Sequence, residues 1–464
     1  MNRSLLLSLI VLSACSRRES RVTAVTPYSH DQAISLRNLI QSGHAPLPDD
    51  AIPPATSCAD FVSQLHDFTP GTIEVPEDWD HPDQSPKIQV FYYWRKPENA
   101  DADRPPVVFF NGGPASDSHG SAKLLGDLAF TQEQPFVFVD QRGTGCSSSF
   151  PTDLTEANAQ RLTNWGSRGI VGDAEALRKT LFGDRKWRAY GQSYGGFIVH
   201  RYLEIAPEGL DRAIAHGASV MQDPISWMVE RVRSQQRVGT TYFKSFPGDR
   251  DILEMARAAI PPAKCWESGS DSVCGPAVLD SLTILLGFRD NWPSLHRWIL
   301  KLKDGNGTLD QAAVDSLVKS FVFGVYGEGG LAGNVISKME IAPGFDDQTG
   351  CRATLERLRK AGENPDAWPI NECRLLLSYQ SPFADLMKNI SARPISLERV
   401  LENLTRGPVS FYLFSGRQDV FVPFATFDEE VKKLGKAVHY ESFPSSGHEG
   451  FYTEAHVTDA VTGN

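Results

Sequence analysis

A strand that runs through a small-residue turn straight into a helix limits this chain's fold more than any other feature. "KWRAYGQ" (Lys186–Gln192) reads as a buried strand, and "GGFIVHRYLEIA" (Gly195–Ala206) reads as a helix that stops before Pro207. Between them lies "GQSYGG", with Gly191 two residues before Ser193 and Gly195 two residues after it. A plain glycine turn would account for the glycines but not for their spacing around a serine. Strand–turn–helix units of this kind are built into parallel sheets with helices on both faces.

The rest of the pattern agrees. "GTIEVP" and "KIQVFYYW" read as an opening antiparallel pair. "PPVVFFN" and "QPFVFVD" are near-continuous apolar runs, as strands buried on both faces should be. "DAEALRKTLFG" has helical spacing and ends at a glycine, and "DRAIAHGA" is a sixth strand. From Asp223 to Thr405 the signal turns helical, through "ISWMVERVRSQQRVGTTYF", "DILEMARAAI", "PAVLDSLTILLGF", "LDQAAVDSLVKSFVFGV" and "CRATLERLRKAG". Strand signals return at "VSFYLFSG" and "AVHYESFP". The expectation is an α/β fold, a mostly parallel sheet with helices on both faces, in two stretches (56–222 and 406–464) around a large helical cap (223–405).

The N-terminus carries its own signal. "MNRSLLLSLIVLSACS" has a basic Arg3, a mostly apolar run from Leu5 to Leu12, and then Cys15. The run is too short for a bilayer, which needs about 20 residues, and it reads as a secretory leader over 1–15. "LSAC" is similar to a bacterial lipoprotein box, which makes Cys15 the expected lipidation site. An ordinary leader with a chance cysteine is the alternative. By the same resemblance, Ser16 after the cysteine favours the periplasmic face of the outer membrane. Residues 16–55 read as a polar tether with a short helix around "DQAISLRNLIQ".

Beyond Cys15, six cysteines remain, an even number that suggests disulfides in an exported chain. Neighbours in sequence pair most simply as Cys265–Cys274 and Cys351–Cys373, leaving Cys58–Cys146. No CxxC pair or histidine at ligand spacing supports a metal site. The formal charge of −11 sets nucleic-acid binding aside, since such proteins carry a basic surplus.

Ser193 at a strand-to-helix turn is placed as a nucleophile, but a hydroxyl needs a base to take its proton and an acid to orient that base. In this arrangement the chain order is Ser, acid, His. Asp419 follows the strand in "VSFYLFSGRQDVFVP", with Asp428 and Glu429 as weaker candidates on the next helix. His448 follows the last strand in "AVHYESFPSSGHEGF"; His439 within the strand and His456 beyond it are read as structural or surface residues. The oxyanion of an acyl-transfer intermediate needs donors. These are expected from the N–H of Tyr194 and from the "NGGPAS" loop, with Gly113 first and Gly112 second.

Together, "NGGPA", "DQRGTGCS" (Asp140–Ser147) and "GQSYGG", followed by Asp419 and His448, resemble the proline iminopeptidase branch of the α/β-hydrolases. That branch includes exported enzymes similar to tripeptidyl aminopeptidases. The resemblance covers the sheet domain well and the cap weakly. It implies a cofactor-free serine aminopeptidase that removes N-terminal residues, often proline, beneath a helical cap whose glutamates hold the substrate's α-ammonium. The cap candidates are Glu230, Glu328 and Glu340. Asn111 stands where the family's loop usually begins with histidine, and Ala115 where it usually ends in glycine. Asp140 and Arg142 are read as braces beside the site. An esterase with the same triad, acting on small esters or amides, is the alternative. A non-enzymatic binding module is a third reading, disfavoured because no triad member is missing. Oligomeric state is not legible.

Overall fold

The computed structural model describes residues 31–32, 56–97, 104–151, 155, 159–221, 223–268, 271–326, 331–381, 390–450 and 452–463. Eight strands form one sheet: β1 (Thr69–Pro76), β2 (Lys87–Arg95), β3 (Val107–Phe110), β4 (Phe136–Val139), β5 (Trp187–Gln192), β6 (Leu210–His216), β7 (Ser410–Gly416) and β8 (Val438–Phe443). Their spatial order is β1-β2-β4-β3-β5-β6-β7-β8. β1 pairs antiparallel with β2, and β2 antiparallel with β4. Every other neighbouring pair is parallel.

The central strands are apolar because both faces of the sheet are covered. β3 shows the division. Val108 and Phe110 enter the core beneath α1 (Ser167–Phe182) and α2 (Tyr194–Ile205), while Val107 and Phe109 enter a second core on the opposite face. Alternate residues of a strand point to opposite sides, so four consecutive apolar residues supply both layers.

Between β6 and β7 the chain builds the cap. It contains α3 (Pro224–Ser245), α4 (Pro247–Ala259), α5 (Trp292–Lys301) and α6 (Asp347–Lys360). Its largest core joins Val238 and Tyr242 of α3 to Leu253, Leu295, Trp298 and Phe321. The cap is not wholly helical. Cys265–Ser268, Asp271–Cys274 and Tyr379–Gln380 form a small antiparallel sheet, and "PAVLDSL" winds as a 3-10 helix before a short α-helix at Thr283–Leu286.

Two expectations need correction. α7 (Leu397–Arg406), assigned from sequence to the cap, buries Leu397, Val400 and Leu404 in the sheet's core, so the α/β part resumes before residue 406. Its amphipathic pattern cannot say which body it faces. Asp31–Gln32, read as the start of a short tether helix, instead pair antiparallel with Thr56–Ser57; the rest of that segment and Cys15 lie outside the described residues. Two further helices, α8 (Phe424–Leu434) and α9 (Ala455–Thr462), cover opposite faces of the sheet.

Disulfides join Cys58–Cys146, Cys265–Cys274 and Cys351–Cys373, the pairing expected from sequence. The first ties the start of the domain to the loop after β4; the other two staple the cap to itself. Three such bonds are the usage of an oxidising compartment. Among the described residues, no helix is long and apolar enough to cross a membrane.

Candidate active site

β5 ends at Gln192 and α2 begins at Tyr194, leaving Ser193 alone at the corner with φ 54° and ψ −121°. A side chain at positive φ is uncommon and persists only where its surroundings enforce it. Two glycines do so. A Cβ on Gly191 would lie 2.1 Å from the carbonyl oxygen of Gly195, and one on Gly195 would lie 1.9 Å from the carbonyl oxygen of Phe110. The elbow is therefore packed against itself and against the end of β3, and the spacing noted in the sequence is a steric requirement.

The structure brings Ser193, His448 and Asp419 into one hydrogen-bonded row. His448 Nε2 lies 2.8 Å from Ser193 Oγ, and His448 Nδ1 lies 2.6 Å from Asp419 Oδ2. The other carboxylate oxygen accepts from the backbone N–H groups of Phe421 (2.7 Å) and Val422 (2.9 Å). Asp419 follows β7 and His448 follows β8, adjacent strands, which is how residues far apart in sequence meet. Asp428 and Glu429, by contrast, sit in α8; His439 is in β8 against the Tyr412 ring; His456 pairs with Glu441 at the surface.

The loop after β3 lies beside the elbow. Gly113 has φ 126°, in the region that favours glycine, and Ala115 has φ 67°. Asn111 closes the loop on itself: its Nδ2 donates to Asp117 O (2.5 Å), its Oδ1 accepts from Ser121 Oγ (2.6 Å) and its carbonyl accepts from Gln141 Nε2 (2.8 Å). Tyr194 is the first residue of α2, so its N–H has no partner within the helix. Arg142 is buried and donates to both oxygens of Asp173 and to the carbonyls of Pro76, Glu77 and Asn164. Asp140 accepts from Ser118 and from the N–H of Cys146, and pairs with His119. Both residues brace loops. His119, Asp140 and Cys146 offer donor atoms within 4.8 Å of one another, but the Cys146 sulfur is bonded to Cys58 and supplies no thiolate for a metal.

The cap glutamates separate. Glu340 is 2% exposed and points inward. It accepts from the N–H and hydroxyl of Ser167 at the start of α1 (3.0 and 2.9 Å) and from the phenol of Tyr194 (2.7 Å). Burial pushes its carboxyl upward, opposed by Arg201 and these donors. A carboxylate so committed is a strut between cap and elbow, which overturns its expected place against a substrate ammonium. Glu230 sits on α3, paired with Arg233. Glu328 lies outside the described residues.

Sequence reasoning missed the residues that hold His448. Gln192 Nε2 donates to His448 O (3.3 Å), and Tyr452 OH donates to Gln192 Oε1 (2.5 Å). The cap's Gly287 carbonyl accepts from His448 N (2.9 Å), and the rings of Phe288 and Phe421 flank the imidazole. Only the place of Gln192, directly before the serine, hinted at such a role.

Two further histidines set opposite pH responses. Burial, reinforced by nearby His448, pushes His216 down to about 3 from 6.5. It therefore stabilises the fold above pH 6.5, and that contribution is lost as pH falls toward 3. For His119 burial works downward, but Asp140 and Asp117 override it and hold the ring at about 9. Its contribution is complete below pH 6.5 and is lost as pH rises through 9. Melting temperature measured against pH should thus decline on both sides, more shallowly on the alkaline side in His119→Gln and on the acid side in His216→Phe. Slopes identical to the native protein's would contradict these environments.

The profile of the α/β-hydrolase fold family matches residues 105–262. A proline iminopeptidase of Aeromonas sobria is 30% identical over 191 residues, 38% of this chain and 44% of that enzyme. One from Neisseria gonorrhoeae is 31% identical over 127 residues, 27% of this chain and 36% of that enzyme. The chain thus spans less than half the length of these curated relatives. A proline iminopeptidase-related protein of Thermus thermophilus superposes with a TM-score of 0.38 and 14% identity, over 85% of this chain and 98% of its own. With its mixed eight-stranded sheet, helical insertion and serine elbow, the chain has the α/β-hydrolase fold and, within it, resembles the proline iminopeptidases.

Proposed function

We propose that the protein is an exported serine aminopeptidase that cleaves one or a few residues from peptide N-termini. The single observation that carries the hydrolase chemistry is the Ser193–His448–Asp419 row. Similarity to proline iminopeptidases supports the choice of substrate. Ser193 Oγ attacks the carbonyl carbon while His448 Nε2 takes its proton. Asp419 holds the imidazole in the required tautomer and stabilises the imidazolium. The N–H groups of Tyr194 and Gly113 face the oxyanion. The intermediate collapses, the amine leaves with the proton from His448, and water then attacks the acyl-enzyme by the same route. No metal or organic cofactor takes part. The disulfides support an extracytoplasmic setting, with the leader and a lipid at Cys15 as the means of export and retention.

The test is a panel of aminoacyl- and tripeptidyl-anilides, each beside its N-blocked counterpart, plus short-chain esters. Cleavage should require a free N-terminus and rank first-residue preferences. Turnover of esters with every anilide untouched would replace the aminopeptidase with an esterase.

A further inference from the structure

On α3, Arg231, Ser234 and Arg237 share one face, three residues apart. Each donates to a carbonyl of the segment that carries Asp419. Arg231 Nη1 reaches Phe421 O (3.2 Å), Ser234 Oγ reaches Asp419 O (2.5 Å) and Arg237 Nη2 reaches Arg417 O (3.2 Å). Three successive donors of a cap helix thus meet every second carbonyl of a loop in the other part of the molecule.

We propose that Ser234 is a positioning residue for the triad, fixing the Asp419 backbone so that its carboxylate stays aligned with His448; this rests on the serine-hydrolase reading above. Ser234 is fully buried, and its hydroxyl has little freedom. Its oxygen accepts from Arg237 Nη2 (2.7 Å), which leaves the O–H to point at Asp419 O. Arg231 is itself held by both oxygens of Glu372 (2.6 and 2.8 Å), so the outer donor is anchored within the cap. The Asp419 carboxylate is oriented by the N–H groups of Phe421 and Val422, in the same clasped segment. A shift of that segment therefore moves the carboxylate and its orienting donors together. Reactive geometry is sensitive to such shifts, with about 1 Å worth roughly 100-fold in rate.

The deciding experiment compares Ser234→Ala and Ser234→Thr with the native full chain, reading kcat and KM on the best anilide or ester, the rate of fluorophosphonate labelling, and the melting temperature. Expected for Ser234→Ala are a fall of about 10-fold in kcat and in labelling rate, KM within about twofold, and recovery of most of the loss in Ser234→Thr. Native kcat and labelling in Ser234→Ala would overturn the proposal. So would a loss confined to KM, or one that threonine does not restore. If Ser234→Ala fails to fold, Arg237→Met, altered at an exposed arginine, carries the same expectation in smaller measure, and native rates there would overturn the clasp. Hydrolysis surviving in Ser193→Ala would sink the serine-nucleophile reading instead, and the labelling rate would still report whether Ser234 conditions the site.

Discussion

Ser193→Ala should lower kcat by about 10⁴- to 10⁶-fold while leaving KM nearly unchanged. The substitution deletes one oxygen, the atom 2.8 Å from His448 Nε2, and leaves the loop after β3, the cap and the N–H of Tyr194 in place. The residual rate is what binding and the oxyanion donors supply without a nucleophile. Asp419→Asn should cost about 10⁴-fold, because an amide in place of Oδ2 no longer secures the required tautomer. The three residues act as a unit, so Ser193→Ala combined with His448→Ala should be no slower than Ser193→Ala alone. Steady-state kinetics on any cleaved anilide decide it. Ser193→Ala retaining more than about one hundredth of native kcat would remove Ser193 from the mechanism.

Gly195→Ala should be as damaging by a different route. The added Cβ would lie 1.9 Å from Phe110 O, 2.6 Å from Phe110 C and 2.9 Å from Asn111 O. All three are backbone atoms and cannot rotate aside, so the first turn of α2 must retreat from β3. A cost of about 3 kcal/mol or more is expected, along with a rate loss of about 100-fold as the elbow and the loop after β3 part. Gly248→Ala, where a Cβ meets nothing within 4 Å in the first turn of α4, is the control and should be close to neutral. Thermal melts beside kinetics would separate the two effects. Equal melting temperatures for the two variants would mean that the close approach is not a constraint.

Glycines of this kind also decide how much of the site is legible in the sequence. The elbow was legible because its cause is local: a tight corner excludes side chains at fixed offsets from Ser193. Asp419 and His448 were legible because each follows a strand whose apolar run is plain. The cap was legible as a helical insertion but its contacts were not, because nothing around Glu340 in the sequence says which body its side chain meets. Only the packed structure turns it toward Ser167 and Tyr194. The same ambiguity misplaced α7. Tyr452 escaped notice because nothing in its sequence surroundings marks a side chain that will hold Gln192, and Gln192 carried only the hint of its place directly before the serine.

The insertion between β6 and β7 also bears on how the molecule can be rebuilt. Glu340 grips the residue after the nucleophile, Gly287 holds the backbone of the base, and α3 holds that of the acid. A roof fastened at all three corners cannot swing away and leave a working centre beneath it. On the proposed mechanism, acylation and deacylation would therefore run with the roof seated. Swapping caps among relatives would then transplant part of the engine along with the cover, and a chimera lacking these fasteners would keep its sheet but idle.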